Sequence, residues 1–140
     1  MPYDYIADTS VNCVFFRHCG PMEAGDAIGS WDFALKDSNV SSGINVLRDI
    51  THSSLSDAYS DQKAIKQARE RLQNVLGDFR GGRYAWVVKD AKDFALIHRW
   101  TVAMRFNISF EIKPFREMAK ATEWLGLSAE YKVKYPKPVE

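Results

Sequence analysis

Residues 82–125 carry the pattern that most constrains the fold, because strands and amphipathic helices alternate along them. Residues 84–88 are nearly all apolar, which is typical of a strand covered on both faces of a sheet. A helix is predicted over residues 90–107, and residues 108–113 alternate between apolar and polar side chains. This alternation predicts an edge strand in which Ile108, Phe110 and Ile112 face the core. A last helix is predicted over residues 116–125 and ends at Gly126.

The rest of the chain continues the same alternation. Residues 3–7 and 11–18 predict an antiparallel hairpin, and Gly20-Pro21 is expected to end its second strand. Gly81-Gly82 is interpreted as a turn. The remaining predicted elements are a helix over 22–36, a strand over 44–50 and a helix over 56–76. The order is β-β-α-β-α-β-α-β-α, which predicts an α/β fold with a mixed, mostly parallel five-stranded sheet and four helices.

The composition is that of a single globular domain. The chain has 140 residues, of which 46% are hydrophobic and 26% are charged, and its net charge of +1 gives no general attraction to nucleic acid. No apolar run approaches the roughly 18 residues of a membrane span, and the first residues lack a signal-peptide pattern, so a cytoplasmic location is expected. One domain is predicted over residues 1–126, followed by a loosely ordered basic tail over residues 127–140.

No group of side chains predicts catalysis, a metal site or a cofactor site. Cys13 and Cys19 would lie about 20 Å apart on one strand, too far for a disulfide, and are predicted to be free thiols. An enzyme would need Cys19, His52 or Asp49 to converge in a pocket, and the pattern favours a protein without enzymatic activity. Metal-ligand spacing is absent among the histidines, which are His18, His52 and His98.

The segment from Asp49 to Asp57 is the best candidate for a regulatory loop. Asp49 lies near the C-terminal end of a predicted parallel strand, and open α/β sheets place their sites at the carboxyl ends of such strands. Ser53 and Ser54 precede a predicted helix, where a serine can act as an N-cap. In the simpler interpretation, one serine caps the helix and Asp49 holds a turn. In the functional interpretation, the segment is a regulated contact loop.

An apolar pocket beside the third helix is a second candidate site. Its lining would consist of Phe94, Ile97, Trp100 and Met104, which could face the last helix. The simpler interpretation is that these side chains fill the core and leave no cavity.

Several segments together resemble the bacterial SpoIIAA-like family, also called STAS/Sec14-like domains. Leu47-Arg48-Asp49 is similar to a Leu-x-Asp element of that family, and residues 82–88 are similar to its Arg-x-Ala-Val-Val strand. Phe115-Arg116 and residues 121–125 resemble its closing strand end and its Ala-x-x-Trp-Leu helix. The resemblance spans residues 3–126. A departure occurs in the third helix, where residues 94–99 lack the family's glycine and place His98 at its arginine.

The resemblance implies a regulatory domain that works by protein contact or by capture of an apolar ligand. In relatives of this family, a serine at the start of the corresponding helix can be phosphorylated, which implies the same for the serines before the predicted helix here. In the relatives a glycine follows these serines, whereas here Ser53-Ser54 is followed by Leu55. The prediction is therefore a non-enzymatic regulatory or protein-interaction domain that binds another protein or itself, in the second case as a homodimer. The alternative is the binding of a small apolar molecule or lipid.

Overall fold

The computed structural model describes residues 3–106 and 108–136 and contains a central sheet with helices on both faces. The strands are β1 (Tyr3–Asp8), β2 (Cys13–Met22), β3 (Asn45–Leu55), β4 (Arg80–Val87) and β5 (Ser109–Phe115). The helices are α1 (Ala24–Ala34), α2 (Gln62–Leu76), α3 (Ala91–Met104) and α4 (Met118–Trp124). A single 3-10 turn, Asp57–Tyr59, precedes α2.

The strands follow one another across the sheet in the order β1-β2-β3-β4-β5. Strands β1 and β2 pair antiparallel, and the other three pairs are parallel. This arrangement confirms the predicted order of elements, the mostly parallel five-stranded sheet and the position of the fifth strand at an edge. No helix within residues 3–106 and 108–136 is long and apolar enough to cross a membrane.

Helices α1, α2 and α3 cover one face of the sheet and form the larger core with it. Their buried apolar stripes pack against side chains that alternate along the strands, such as Val14 and Phe16 on β2 and Tyr84 and Trp86 on β4. The other face carries a smaller core around Phe15, which α4 helps to cover. The sheet is therefore apolar on both faces, and each face needs its own cover.

The segment after α4 completes the cover of the second face. The Tyr131 ring stacks on Phe15 with their centroids 5.6 Å apart, and its hydroxyl donates to the Asp8 carboxylate. The Arg17 guanidinium lies 4.3 Å from the centre of the Tyr135 ring. The sequence predicted a loosely ordered tail from residue 127, and its described part, which has no helix or strand, packs on the sheet as far as Tyr135. Residues 137–140 of that predicted tail lie outside the described residues.

Two strands are longer than predicted. Strand β2 continues through Gly20-Pro21 to Met22, and β3 continues through the predicted loop to Leu55, because the two strands remain paired to their ends. The described residues of β1 pair with β2 only as far as His18. Pro21 is tolerated because no strand of the described residues pairs with that side of β2 at this point, and a missing N–H there removes no ladder hydrogen bond.

The predicted Gly81-Gly82 turn is wrong, because both glycines lie inside β4. A Cβ atom at Gly81 would lie 1.8 Å from the Phe110 ring, and one at Gly82 would lie 2.3 Å from Asn45 Oδ1. The glycines therefore let neighbouring groups approach the strand closely, which is a second common role of glycine in strands.

The third helix and the fifth strand differ slightly from their predicted bounds. Helix α3 ends at Met104, and Asn107 of the predicted helix lies outside the described residues. Strand β5 includes Pro114 and ends at Phe115. The predicted alternation is confirmed: the inward residues pack against the larger core, and the outward ones, Ser109, Glu111 and Lys113, are exposed.

Candidate functional site

The predicted regulatory loop is part of a strand. Asp49, Ser53 and Ser54 all lie on β3, as predicted for Asp49, whereas the prediction of Ser53 and Ser54 as loop residues before a helix is wrong. The Asp49 carboxylate accepts hydrogen bonds from the backbone N–H and the hydroxyl of Thr51, at 2.9 and 2.7 Å. The register of β2 with β3 shifts at this point, between Arg17 and Cys19. Asp49 therefore stabilises an irregularity inside the sheet.

The two serines do not form a common surface. Ser53 is buried, and its carbonyl accepts a 2.9 Å hydrogen bond from Lys89 Nζ, whereas Ser54 is exposed. Helix α2 begins at Gln62 and is capped by Asp61, whose side chain accepts from the Lys63 N–H. Neither serine lies at a helix N-terminus, so the helix cannot stabilise a phosphate on either of them.

The predicted apolar pocket is filled by its own side chains. Ile97, Trp100 and Met104 are buried in the larger core. Trp100 and Met104 border an internal cavity of only about 10 Å³, which is close to the space of one water molecule. Phe94 is half-buried and lines open surface depressions instead. The structure therefore does not bring these four residues together around a ligand-sized cavity.

The residues considered for catalysis are only partly brought together. Cys19 and His52 are register partners on neighbouring strands and both are exposed. Asp49 is buried and bonded to Thr51, and the described residues show no hydrogen bond among Cys19, His52 and Asp49. The described part of the chain also contains no cluster of three potential metal ligands. Both cysteines are free, and burial raises the pKa of Cys13 to about 12.

Arg48 is the polar residue that sequence reasoning missed, and it lies fully buried in the larger core. Its guanidinium donates to Tyr84 Oη (2.6 Å), His18 Nε2 (2.7 Å) and Ser30 Oγ (2.8 Å). It also lies 4.2 Å from the centre of the Phe16 ring, where the cation is attracted by the aromatic face.

The surroundings of Arg48 are closed to solvent. Burial and the guanidinium charge lower the pKa of His18 to about 3, so this imidazole is neutral and can accept from Arg48. The sequence contains a sign of this burial, because Arg48 alternates with Val46 and Ile50, which are apolar and face the larger core. Because the cluster is enclosed, its contribution is to hold β2, β3 and β4 in register, and it offers no surface to a partner.

The open edge of β5 is the best candidate for a binding surface. The Val88 N–H donates to the Phe115 carbonyl, so the backbone of Phe115 faces β4. Backbone groups alternate in direction along a strand, and those of Phe110, Ile112 and Pro114 therefore point away from β4. In the described part of the chain no strand pairs with that side of β5. The N–H and C=O groups of Phe110 and Ile112 are free to pair with another segment.

An apolar stripe of α3 borders this edge. Phe94 lines a surface depression together with Pro114 and Phe115, so the beginning of the helix lies next to the end of β5. The His98 ring stacks on Phe94 at 6.3 Å, and Val102 is 36% exposed one turn further along. We call the outward backbone of β5 (Phe110, Ile112 and Pro114), with Phe94, His98 and Val102 of α3, the open-edge surface.

Opposite charges lie along the same strand on the other face of the sheet. Glu111 and Lys113 point to the face that α4 covers, and both are exposed. Arg83 lies 3.7 Å from the Glu111 carboxylate and donates to the Trp124 carbonyl at 2.7 Å. An open depression of about 730 Å³ extends from this group to Gly81 and Gly82. The edge therefore offers free backbone groups between an apolar flank and a charged flank.

Comparison with known proteins identifies the fold. No protein-family model matches the sequence, and no curated protein matches it. The structure is similar to the crystal structure of an uncharacterized protein from the DUF3478 family, with a SpoIIAA-like fold, from Shewanella loihica PV-4. The two chains are 21% identical, the match covers 80% of this chain and 82% of the other, and the TM-score is 0.50. The predicted resemblance is confirmed at the level of architecture: this chain has a SpoIIAA-like fold.

Proposed function

We propose that this protein is a non-enzymatic, cytoplasmic interaction domain that binds a protein segment at the open-edge surface. The observation that carries the proposal is the outer side of β5, to which the N–H and C=O groups of Phe110 and Ile112 point and with which no strand of the described residues pairs. An extended segment of another protein can add to such an edge as a further strand, because the backbone hydrogen bonds supply affinity.

The bordering side chains support the same proposal. Val102 of the stripe is 36% exposed, and Phe106, which follows the end of α3, is 84% exposed. Natural edge strands are usually blunted by charges or proline, and here Pro114 removes one outward N–H while leaving the groups of Phe110 and Ile112. Exposed apolar side chains beside free backbone groups favour a contact with protein.

Binding of a small apolar ligand has less support. Ligand sites in proteins usually have volumes of about 300–1,000 Å³ and enclose most of the molecule. The cavity beside Trp100 and Met104 measures about 10 Å³, and the larger depressions near α3 are open to solvent. Capture of a lipid would therefore require the core to open.

The test compares what immobilised protein retains from cells that express the chain. We expect that Val102→Glu, which places a charge in the apolar stripe, loses proteins that the wild type retains. Met118→Glu is the matched control, because Met118 is 38% exposed and lies on α4, which covers the other face of the sheet. Any retained protein is then purified, and its affinity for the three forms is measured directly. Equal binding to all three forms, or binding to none, would contradict the proposed function.

A further inference from the structure

We infer that the segment which occupies the open-edge surface is the β5 strand of a second copy of this chain. The inference rests on the proposed function and deepens it by naming the partner. The two strands run antiparallel about a twofold axis, with Ile112 directly opposite the partner's Ile112. Such an arrangement is self-complementary, as the commonest symmetric dimers are.

The backbone of β5 permits this pairing. Outward groups must face outward groups for hydrogen bonds to form, so Phe110, Ile112 and Pro114 can only be opposite one another. With Ile112 opposite the partner's Ile112, these two residues exchange two hydrogen bonds. Phe110 then lies opposite the partner's Pro114, whose carbonyl accepts from the Phe110 N–H. Proline cannot return this bond, so the pairing is short and loses one bond at each end.

The charges on β5 select this register over its neighbours. Glu111 falls opposite the partner's Lys113, and Lys113 falls opposite the partner's Glu111, which forms two attractive pairs. These positions are non-hydrogen-bonded pairs, in which opposite side chains lie closest. Sliding the partner by two residues in one direction brings Glu111 opposite the partner's Glu111. Sliding it in the other direction brings Lys113 opposite the partner's Lys113, so both alternatives are repulsive.

The other edge of the sheet lacks this complementarity. Strand β1 carries Asp4 and Asp8 and no basic side chain. Asp4 is bonded to Arg17, and Asp8 accepts from Tyr131. Pairing of β1 with its own copy would gain no opposite-charge pair between the two strands. Self-association through β5 is therefore favoured over self-association through β1.

The flank of α3 extends the contact beyond the strands. In the twofold arrangement, the stripe of Phe94, His98 and Val102 meets the same stripe of the partner on one face of the joined sheet. Apolar contact between the stripes adds the buried surface that a short strand pair lacks on its own. The joined sheet would contain ten strands, twice the five of one copy.

The test uses light scattering over about a hundredfold range of protein concentration, where a weak dimer dissociates. The wild type is compared with Glu111→Lys and with Lys113→Glu, each of which places like charges opposite one another. We expect each variant to dimerise about tenfold more weakly or worse. An equimolar mixture restores the dimer, because each variant's β5 then faces opposite charges on the other. Glu70→Lys on α2 is the control, since it makes the same charge change at an exposed position away from β5.

The outcomes separate the inference from the proposed function. A wild type that stays monomeric over the whole range overturns the dimer, while loss of a captured protein by Val102→Glu would still support the proposed function. Dimers that ignore both Glu111→Lys and Lys113→Glu overturn the use of β5. Weakening in both variants without recovery in the mixture overturns the register. Circular dichroism of each variant checks that it is folded, and the mixture remains informative because both of its members must be folded to pair.

Discussion

Phe110 and Gly81 form a pair whose energetic coupling can be worked out from the structure. Phe110 is 7% exposed, and its ring centre lies 5.3 Å from that of Trp31 and 5.5 Å from that of Tyr84. Truncation of such a ring to alanine costs about 3–5 kcal/mol of the free energy of unfolding. Gly81→Ala places a methyl group 1.8 Å from Phe110 Cε1, which overpacks the core and costs about 1–3 kcal/mol.

The two changes should not be additive. In the double variant the cavity left by the ring accepts the new methyl group, so the total loss is about 1–3 kcal/mol smaller than the sum of the single losses. Gly82→Ala supplies the control, because its methyl group would meet Asn45 Oδ1 and not the Phe110 ring. We expect its effect to add to that of Phe110→Ala within about 0.5 kcal/mol.

The measurement is urea unfolding of the wild type, the three single variants and the two double variants, followed by fluorescence and circular dichroism. Equal slopes of the unfolding free energy against urea would show that the denatured states are comparable. The packing argument is refuted if Phe110→Ala and Gly81→Ala are simply additive. It is also refuted if Gly81→Ala is as stable as the wild type, since the ring would then have moved aside without loss.

Further predictions concern titration, capping and thiol access. Burial lowers the pKa of His18 in the folded protein to about 3. Below about pH 6.5 the histidine of the unfolded chain binds a proton that the folded protein does not, which favours unfolding. The free energy of unfolding therefore falls by up to about 4 kcal/mol as the pH decreases from about 6.5 towards 3. His18→Asn should flatten this decline in urea titrations, and parallel curves would refute the assignment. Asp61→Ala should cost about 0.5–2 kcal/mol in the same assay, while Ser54→Ala should be nearly silent; the reverse order would contradict the observed cap. At about pH 8 a thiol reagent should label Cys19 in the folded protein and Cys13 only after unfolding, as mass spectrometry can show.

The order of elements could be predicted because periodicity is a local property of the chain. The alternation around Phe110 and the continuous apolar run of β4 each report how many faces of a strand are covered. These patterns, with helices between parallel strands, limit the topology to a few arrangements. The family resemblance then selected the SpoIIAA-like architecture among them, and the similarity of the solved structure supports that choice.

The candidate site could not be predicted to the same extent, because its residues depend on pairing at a distance. Ser53 and Ser54 look like a helix start, yet pairing with β2 extends β3 through both. Gly81 looks like a turn until the ring of Phe110 is placed beside it. The burial of Arg48 depends on partners from two other strands and a helix. In each case tertiary contacts override a correct local preference.

The cover of the second sheet face has a consequence for how the chain folds during synthesis. Phe15 and Leu47 on that face are made early, whereas α4 and the segment that reaches Tyr131 follow every strand of the sheet. The contact between Tyr131 and Asp8 joins residues that are 123 positions apart. A nascent chain that has completed its sheet therefore exposes an apolar surface until these last segments emerge from the ribosome. During this interval the domain is most prone to aggregate and most in need of a chaperone.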